Sequence, residues 1–93
     1  MDDSDLMVDG NALGGVLSEL FVHEMTSAPV ACGGCGKVEP LGAEHAFTQA
    51  PGIVLRCRHC QGVLLVITKR GSEYLLALQG SMWIQITPDP RGI

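Results

Sequence analysis

The sequence predicts a small, β-rich α+β domain: an antiparallel sheet with one N-terminal amphipathic helix, drawn together by four cysteines. Three observations carry this reading. Cys32, Cys35, Cys57 and Cys60 are the only cysteines in the chain, and they fall as two Cys-x-x-Cys pairs with the 21 residues from Gly36 to Arg56 between them. Short apolar runs separated by turns that carry glycine or proline fill much of the chain from His45 to Ile86. One stretch, Asn11 to Phe21, places its apolar residues at helical spacing instead.

Ninety-three residues bound the chain to one small domain with a modest core. A metal site that contributes on the order of 10 kcal/mol to the folded state is a fitting staple at that size. The composition, 46% hydrophobic and 17% charged, is that of a globular chain, and no apolar run approaches the ~20 residues of a membrane span. The start, Met1-Asp2-Asp3-Ser4-Asp5, is acidic and so unlike a signal peptide, which makes the cytoplasm the expected compartment. Residues 1–8 read as a disordered acidic tail, 9–87 as the single domain and 88–93 as a second disordered tail.

In the first element Leu13, Val16, Leu17, Leu20 and Phe21 recur at i, i+3, i+4, i+7 and i+8, with Asp9 or Asn11 as its cap. Gly14 and Gly15 inside it cost roughly 1 kcal/mol each relative to alanine, so the helix forms only when docked, with the glycines allowing close approach. Val22 to Ala31 reads as an extended feed into the first cysteine pair, since Pro29 stops any helix there. His23 reads as an ordinary, partly exposed side chain. Lys37-Val38-Glu39 is a short return strand. His45 to Thr48 and Ile53 to Arg56 form a hairpin across Gln49-Ala50-Pro51-Gly52, where Pro then Gly specify a type II turn. Val63–Ile67, Tyr74–Leu78 and Met82–Ile86, separated by Lys69-Arg70-Gly71-Ser72 and Gln79-Gly80, read as a three-stranded meander. Both faces of its first two strands are apolar. The helix would cover one side, and the other is open to a subunit contact, that is, to a homodimer. Trp83 reads as a core residue of the last strand.

The cysteine spacing reads as one four-thiolate zinc site. Each Cys-x-x-Cys turn sets two sulfurs at two corners of a tetrahedron about 2.3 Å from the ion, and four thiolates leave no open corner for a reacting molecule. Such a site is structural. Gly33, Gly34, Gly36 and Gly62 read as residues that let the loops curl with positive φ. Two disulfides fit poorly, because each pair encloses only two residues and the chain carries no secretory mark. A thioredoxin-like pair would need a strand-to-helix setting that neither pair has. A single iron, as in proteins resembling rubredoxin, suits the same four ligands, although Phe21, Phe47, Tyr74 and Trp83 are a thin aromatic set beside that family's.

Knuckle, hairpin and second knuckle, over residues 29 to 68, resemble the zinc-ribbon fold. The whole chain resembles a family of short actinobacterial proteins of unknown function. That likeness rests on Asp9-Gly10-Asn11-Ala12-Leu13 and Leu17-Ser18-Glu19-Leu20-Phe21 at the two ends of the helix, Cys-x-x-Cys-Gly at 32–36, Ala50-Pro51-Gly52, and the second pair at 57–60 followed by Val63-Leu64-Leu65. It implies a zinc-ribbon-like fold and lends no activity.

No Ser/His/Asp arrangement, phosphate-cradling glycine loop or pair of carboxylates in apolar surroundings stands out, so the chain is expected not to be an enzyme. Lys37, Arg56, Arg58 and His59 gather near the metal, where they offset the charge of a tetrathiolate. The net charge is −4; four deprotonated thiols subtract four charges and Zn²⁺ returns two, giving −6. That balance opposes general affinity for nucleic acid and favours another protein as partner. The expected role is a protein-interaction or regulatory module, with a nucleic-acid-binding ribbon and an iron electron carrier as its rivals.

Overall fold

The computed structural model describes residues 7–21, 24–48 and 52–87. The expected tails at 1–6 and 88–93, His23, and the tip of the first hairpin at 49–51 lie outside them. Met7 and Val8, assigned to the tail from the sequence, instead belong to strand β1 (Met7–Asp9).

A 3-10 turn, Gly10–Leu13, and a short helix α1, Gly14–Leu20, follow β1. The expected single helix is thus two pieces. Asp9 caps the first, its carboxylate accepting from the Asn11 backbone N–H at 3.0 Å. Leu13 and Leu17 are buried, and Val16, Leu20 and Phe21 pack partly against the same core. Each buried leucine contributes about 2 kcal/mol, which outweighs the cost of Gly14 and Gly15. Neither glycine is there for close approach: a Cβ on Gly15 would meet nothing within 4 Å, and one on Gly14 would make ordinary contact with Thr26 at 3.9 Å.

The strands form two antiparallel sheets where the sequence suggested one. The larger has the order β1-β4-β5-β6-β7, with β4 His45–Phe47, β5 Gly52–Arg56, β6 Val63–Arg70 and β7 Glu73–Ala77. The expected hairpin is present, with Ala46 opposite Leu55. The β6–β7 hairpin is present too, closed by Gly71 and Ser72 alone. Gly71, at φ 64°, takes the first central position, where a type II′ turn requires glycine. The smaller sheet has the order β3-β2-β8, with β2 Pro29–Cys32, β3 Val38–Pro40 and β8 Ser81–Ile84.

The meander therefore breaks at its last strand. After β7 the chain turns sharply, Ser81 N–H to Leu78 O at 3.1 Å, and crosses the start of β6 at Gly80. Strand β8 then pairs with β2, Ile84 opposite Val30 and Trp83 opposite Ala31. Gly80 lies so close to Val63 that a Cβ there would overlap the Val63 carbonyl oxygen. What looked like a two-residue hairpin turn is a crossing point between sheets.

The core lies between the sheets and the helical segment: Leu13, Leu17, Val30, Leu41, Leu55 and Ile67 are at most 2% exposed. Strand β6 buries both faces, through Leu64 and Leu65, as its central place requires. Strand β7, at the sheet edge, buries neither: Leu75 and Leu76 are exposed, as are Leu78, Met82 and Ile86. Trp83 is 46% exposed and so does not belong to the core. The Tyr74 hydroxyl ties β7 to α1, donating to Glu19 at 2.8 Å.

Candidate metal centre

Each cysteine pair follows a strand whose pairing shifts register at its end, with the extra residue on the neighbouring strand, Met82 of β8 and Leu64 of β6. The register of β2 shifts between Ala31 and Cys32, and that of β5 between Leu55 and Arg56. The two turns that follow share one hydrogen-bond pattern. Gly36 N–H donates to Cys32 O at 2.9 Å and Cys32 N–H to Lys37 O at 3.0 Å. Gln61 N–H donates to Cys57 O at 2.9 Å and Cys57 N–H to Gly62 O at 2.8 Å. In each turn the residue after the second cysteine has positive φ, 77° at Gly36 and 64° at Gln61. The sequence reading assigned positive φ to Gly33, Gly34 and Gly62 as well. Those three do not have it. Gly33 and Gly62 answer to space instead, because a Cβ would stand 2.9 Å from Gly80 O at the first and 3.3 Å from the Cys60 sulfur at the second.

These turns bring the four sulfurs together. All lie within 4.8 Å of one another, with Cys32 Sγ 3.6 Å from Cys60 Sγ and Cys35 Sγ 3.7 Å from Cys57 Sγ. A tetrahedron with arms of about 2.3 Å has edges of about 3.8 Å, so the set has the size that a four-thiolate metal requires. The thiols are free. Backbone N–H groups point at the sulfurs: Gly34 to Cys32 at 3.3 Å, His59 to Cys57 at 3.4 Å and Gly62 to Cys60 at 3.4 Å. Such donors steady thiolate charge.

The first cysteine of each pair is buried and the second exposed. Burial pushes the Cys57 thiol up to about 12. At Cys32 the backbone N–H of Cys35, helped by that of Gly34, outweighs burial and draws the thiol down to about 7. The Gly62 N–H lowers Cys60, but the neighbouring Cys32 sulfur and burial together leave it raised. A bound metal would take all four as thiolates and release their protons.

Two of the four basic residues expected near the site are engaged in holding it. Arg56 lies over the Phe47 ring, 5.8 Å from its centroid, and donates to Gln61 O at 3.0 Å. The His59 ring donates from Nε2 to Glu39 at 2.7 Å, joining the second knuckle to β3 beyond the first. That contact, with the charges of Arg58 and Lys37 behind it, holds the Glu39 carboxyl below the ordinary carboxylate value. Lys37 and Arg58 are exposed.

Three residues around the site escaped the sequence reading: Glu39, Gln61 and Glu44. Gln61 donates from Nε2 to His45 Nδ1 at 3.1 Å. Glu44 is fully buried and accepts from the Arg58 backbone N–H at 3.0 Å. A weak signal for Glu44 existed, since it is one carboxylate between Leu41-Gly42-Ala43 and Ala46-Phe47, a setting poor in other charge.

No curated protein and no solved structure matches the chain. Among the described residues no helix is long and apolar enough to cross a membrane. Over residues 2–89 the chain matches the Family of unknown function (DUF6510), and it belongs to that family.

Proposed function

We propose that the chain is a cytoplasmic, zinc-stabilised domain of zinc-ribbon type that works as a protein-interaction or regulatory module and catalyses no reaction. The observation that carries the metal is the sulfur spacing, 3.6 and 3.7 Å across the knuckles, on four residues from two sheets and two turns. Cys32, Cys35, Cys57 and Cys60 would hold the ion, which supplies cohesion and no open coordination position. Zinc is favoured over iron by the aromatic residues, which build no core around the site: Trp83 is exposed, and Phe21, Phe47 and Tyr74 are partly so.

The interaction reading draws on the surface. Leu78, Met82, Trp83 and Ile86 border a groove of about 270 Å³ along β8, and no charged residue lines it. Exposed apolar area of this kind, on a chain of net charge −4, suits a protein surface better than a phosphate backbone.

Native mass spectrometry on protein purified without chelator tests the metal. One zinc per chain with four reduced cysteines is expected; iron, with a coloured preparation, would replace this reading by electron transfer, and no metal would end it. The same spectrum reads dimer against monomer. Binding to DNA that falls steeply with salt would turn the module into a nucleic-acid ribbon.

A further inference from the structure

We infer that Glu44 is a positioning residue for the metal: its buried carboxylate, by accepting the Arg58 N–H, holds the Cys57–Cys60 turn in its ligand-bearing shape. The inference rests on the structural-metal reading above. Among the described residues Glu44 is the one charged side chain that is fully buried. Burying a carboxylate is costly, and a carboxylate near a tetrathiolate is repelled by it, so its place needs a specific reason. Only one of its oxygens has a partner. Oε1 takes the Arg58 N–H at 3.0 Å, and Oε2 has none.

The rest of Glu44 is fixed so that Oε1 stays in place. Its N–H donates to Leu41 O at 3.2 Å, and its carbonyl accepts from Gly10 N–H at 2.8 Å, which locks the corner between the 3-10 turn Leu41–Ala43 and β4. The first knuckle shows what the Arg58 amide is for. The equivalent amide there, Gly33 N–H, donates to Gly80 O at 2.8 Å. In both turns the amide directly after the buried cysteine is held by an acceptor from outside the turn. If that peptide swings, the backbone of the cysteine turns with it, and its sulfur leaves the tetrahedral corner. The first knuckle uses a neutral carbonyl. The second uses a side-chain oxygen, that of Glu44.

The test uses the metal-loaded full chain, once with zinc and once with cobalt(II) as a coloured probe. Glu44→Ala removes the acceptor; Glu44→Gln keeps an oxygen of the same reach. The alanine variant is expected to lose zinc to a chelator ~10- to 100-fold faster than wild type and to show altered thiolate-to-cobalt absorption, with the glutamine variant within about threefold and spectrally unchanged. Wild-type release and spectrum in the alanine variant would overturn the inference, as would a glutamine variant as fast as alanine, since charge and not the bond would then matter. Should the alanine variant not fold, amide exchange decides: an Arg58 N–H that is slow in the wild-type protein and stays slow in Glu44→Gln supports the role, and one unprotected in the wild type refutes it. A wild-type chain that takes up neither zinc nor cobalt ends the metal reading and this one together, whereas loaded protein indifferent to Glu44 ends only this one.

Discussion

Residues 32–37 and 57–62 fold into the same hydrogen-bonded turn, each after a register shift, each with one left-handed residue behind its second cysteine. Their supports differ. The first knuckle is glycine-rich and leans on backbone: β3 on one side, β8 on the other, and the Gly80 carbonyl at its tip. The second is held by side chains, with Glu44 at Arg58 N–H, Arg56 at Gln61 O, and Gln61 at His45. One backbone turn is thus held by two different surroundings. The first knuckle should therefore yield to changes in the packing of the small sheet, and the second to changes in a few polar groups.

The largest effect expected on this comparison comes from the ligands. Cys57 is fully buried in the core, while Cys35 is exposed at the rim. Cys57→Ser removes one thiolate and also leaves a buried hydroxyl, a loss of about 5 kcal/mol or more, comparable with the whole stability of a small domain. Circular dichroism at 25 °C should show it largely unfolded. Cys35→Ser should keep its strands and melt at a lower temperature. Equal behaviour of the two would mean that burial adds nothing to ligation.

Next comes the crossing point. In Gly80→Ala the new methyl meets the Val63 carbonyl oxygen, a backbone atom that cannot move aside cheaply. A loss of about 2–3 kcal/mol is expected, read as a lower urea midpoint of the metal-loaded protein. Because Gly80 O holds Gly33 N–H, the first knuckle should loosen with it while Arg58 N–H stays protected. An unchanged midpoint would show that β8 does not support the first knuckle.

The split between legible and illegible features follows from range. Cysteine spacing, the Leu13-to-Phe21 stripe and the Ala46–Leu55 hairpin are written in neighbouring residues, and the fold contains all three. The path of β8 is not. Gln79-Gly80 has the length and composition of a hairpin turn, and only the proximity of Val63, 17 positions earlier, makes Gly80 a crossing. Trp83 was misplaced for the same reason: moving β8 to the edge of a small sheet exposes the face that a meander would have covered. Glu44 acts on an amide 14 positions away, and nothing local announces that pairing.

A smaller effect tests the left-handed residues. Gly36→Gln copies the second knuckle's choice into the first and should cost about 1 kcal/mol, since a side chain at φ 77° is strained and has no partner waiting within 4 Å of the Cβ. Gln61→Gly relieves the same strain but removes the 3.1 Å bond to His45, so stability should change by less than about 0.5 kcal/mol. Equal losses in denaturant melts would mean that the side chain of Gln61, and not its backbone, is what the second knuckle needs.

The smallest effect concerns the approach to the first knuckle. Glu24 accepts from the Thr26 and Ser27 amides at 2.8 and 3.2 Å, from the Ser27 hydroxyl at 2.5 Å and from the Thr26 hydroxyl, closing the turn that leads into β2. These bonds, the Ser27 hydroxyl's foremost and then the Thr26 donors, hold its carboxyl down at about 2 against an ordinary 4.5. A lowered carboxyl stabilises the fold above the unfolded value and loses that contribution as pH falls through the folded one, here between 4.5 and 2. Glu24→Gln should therefore be slightly less stable than wild type by an amount that is constant from pH 7 down to 5 and shrinks only in stronger acid. Carbon NMR of the Glu24 carboxyl checks the premise directly, because at pH 4 it should still be ionised while ordinary exposed glutamates are more than half protonated. A midpoint near 4.5 would show that this turn gains nothing from the charge, leaving the first knuckle supported by backbone alone.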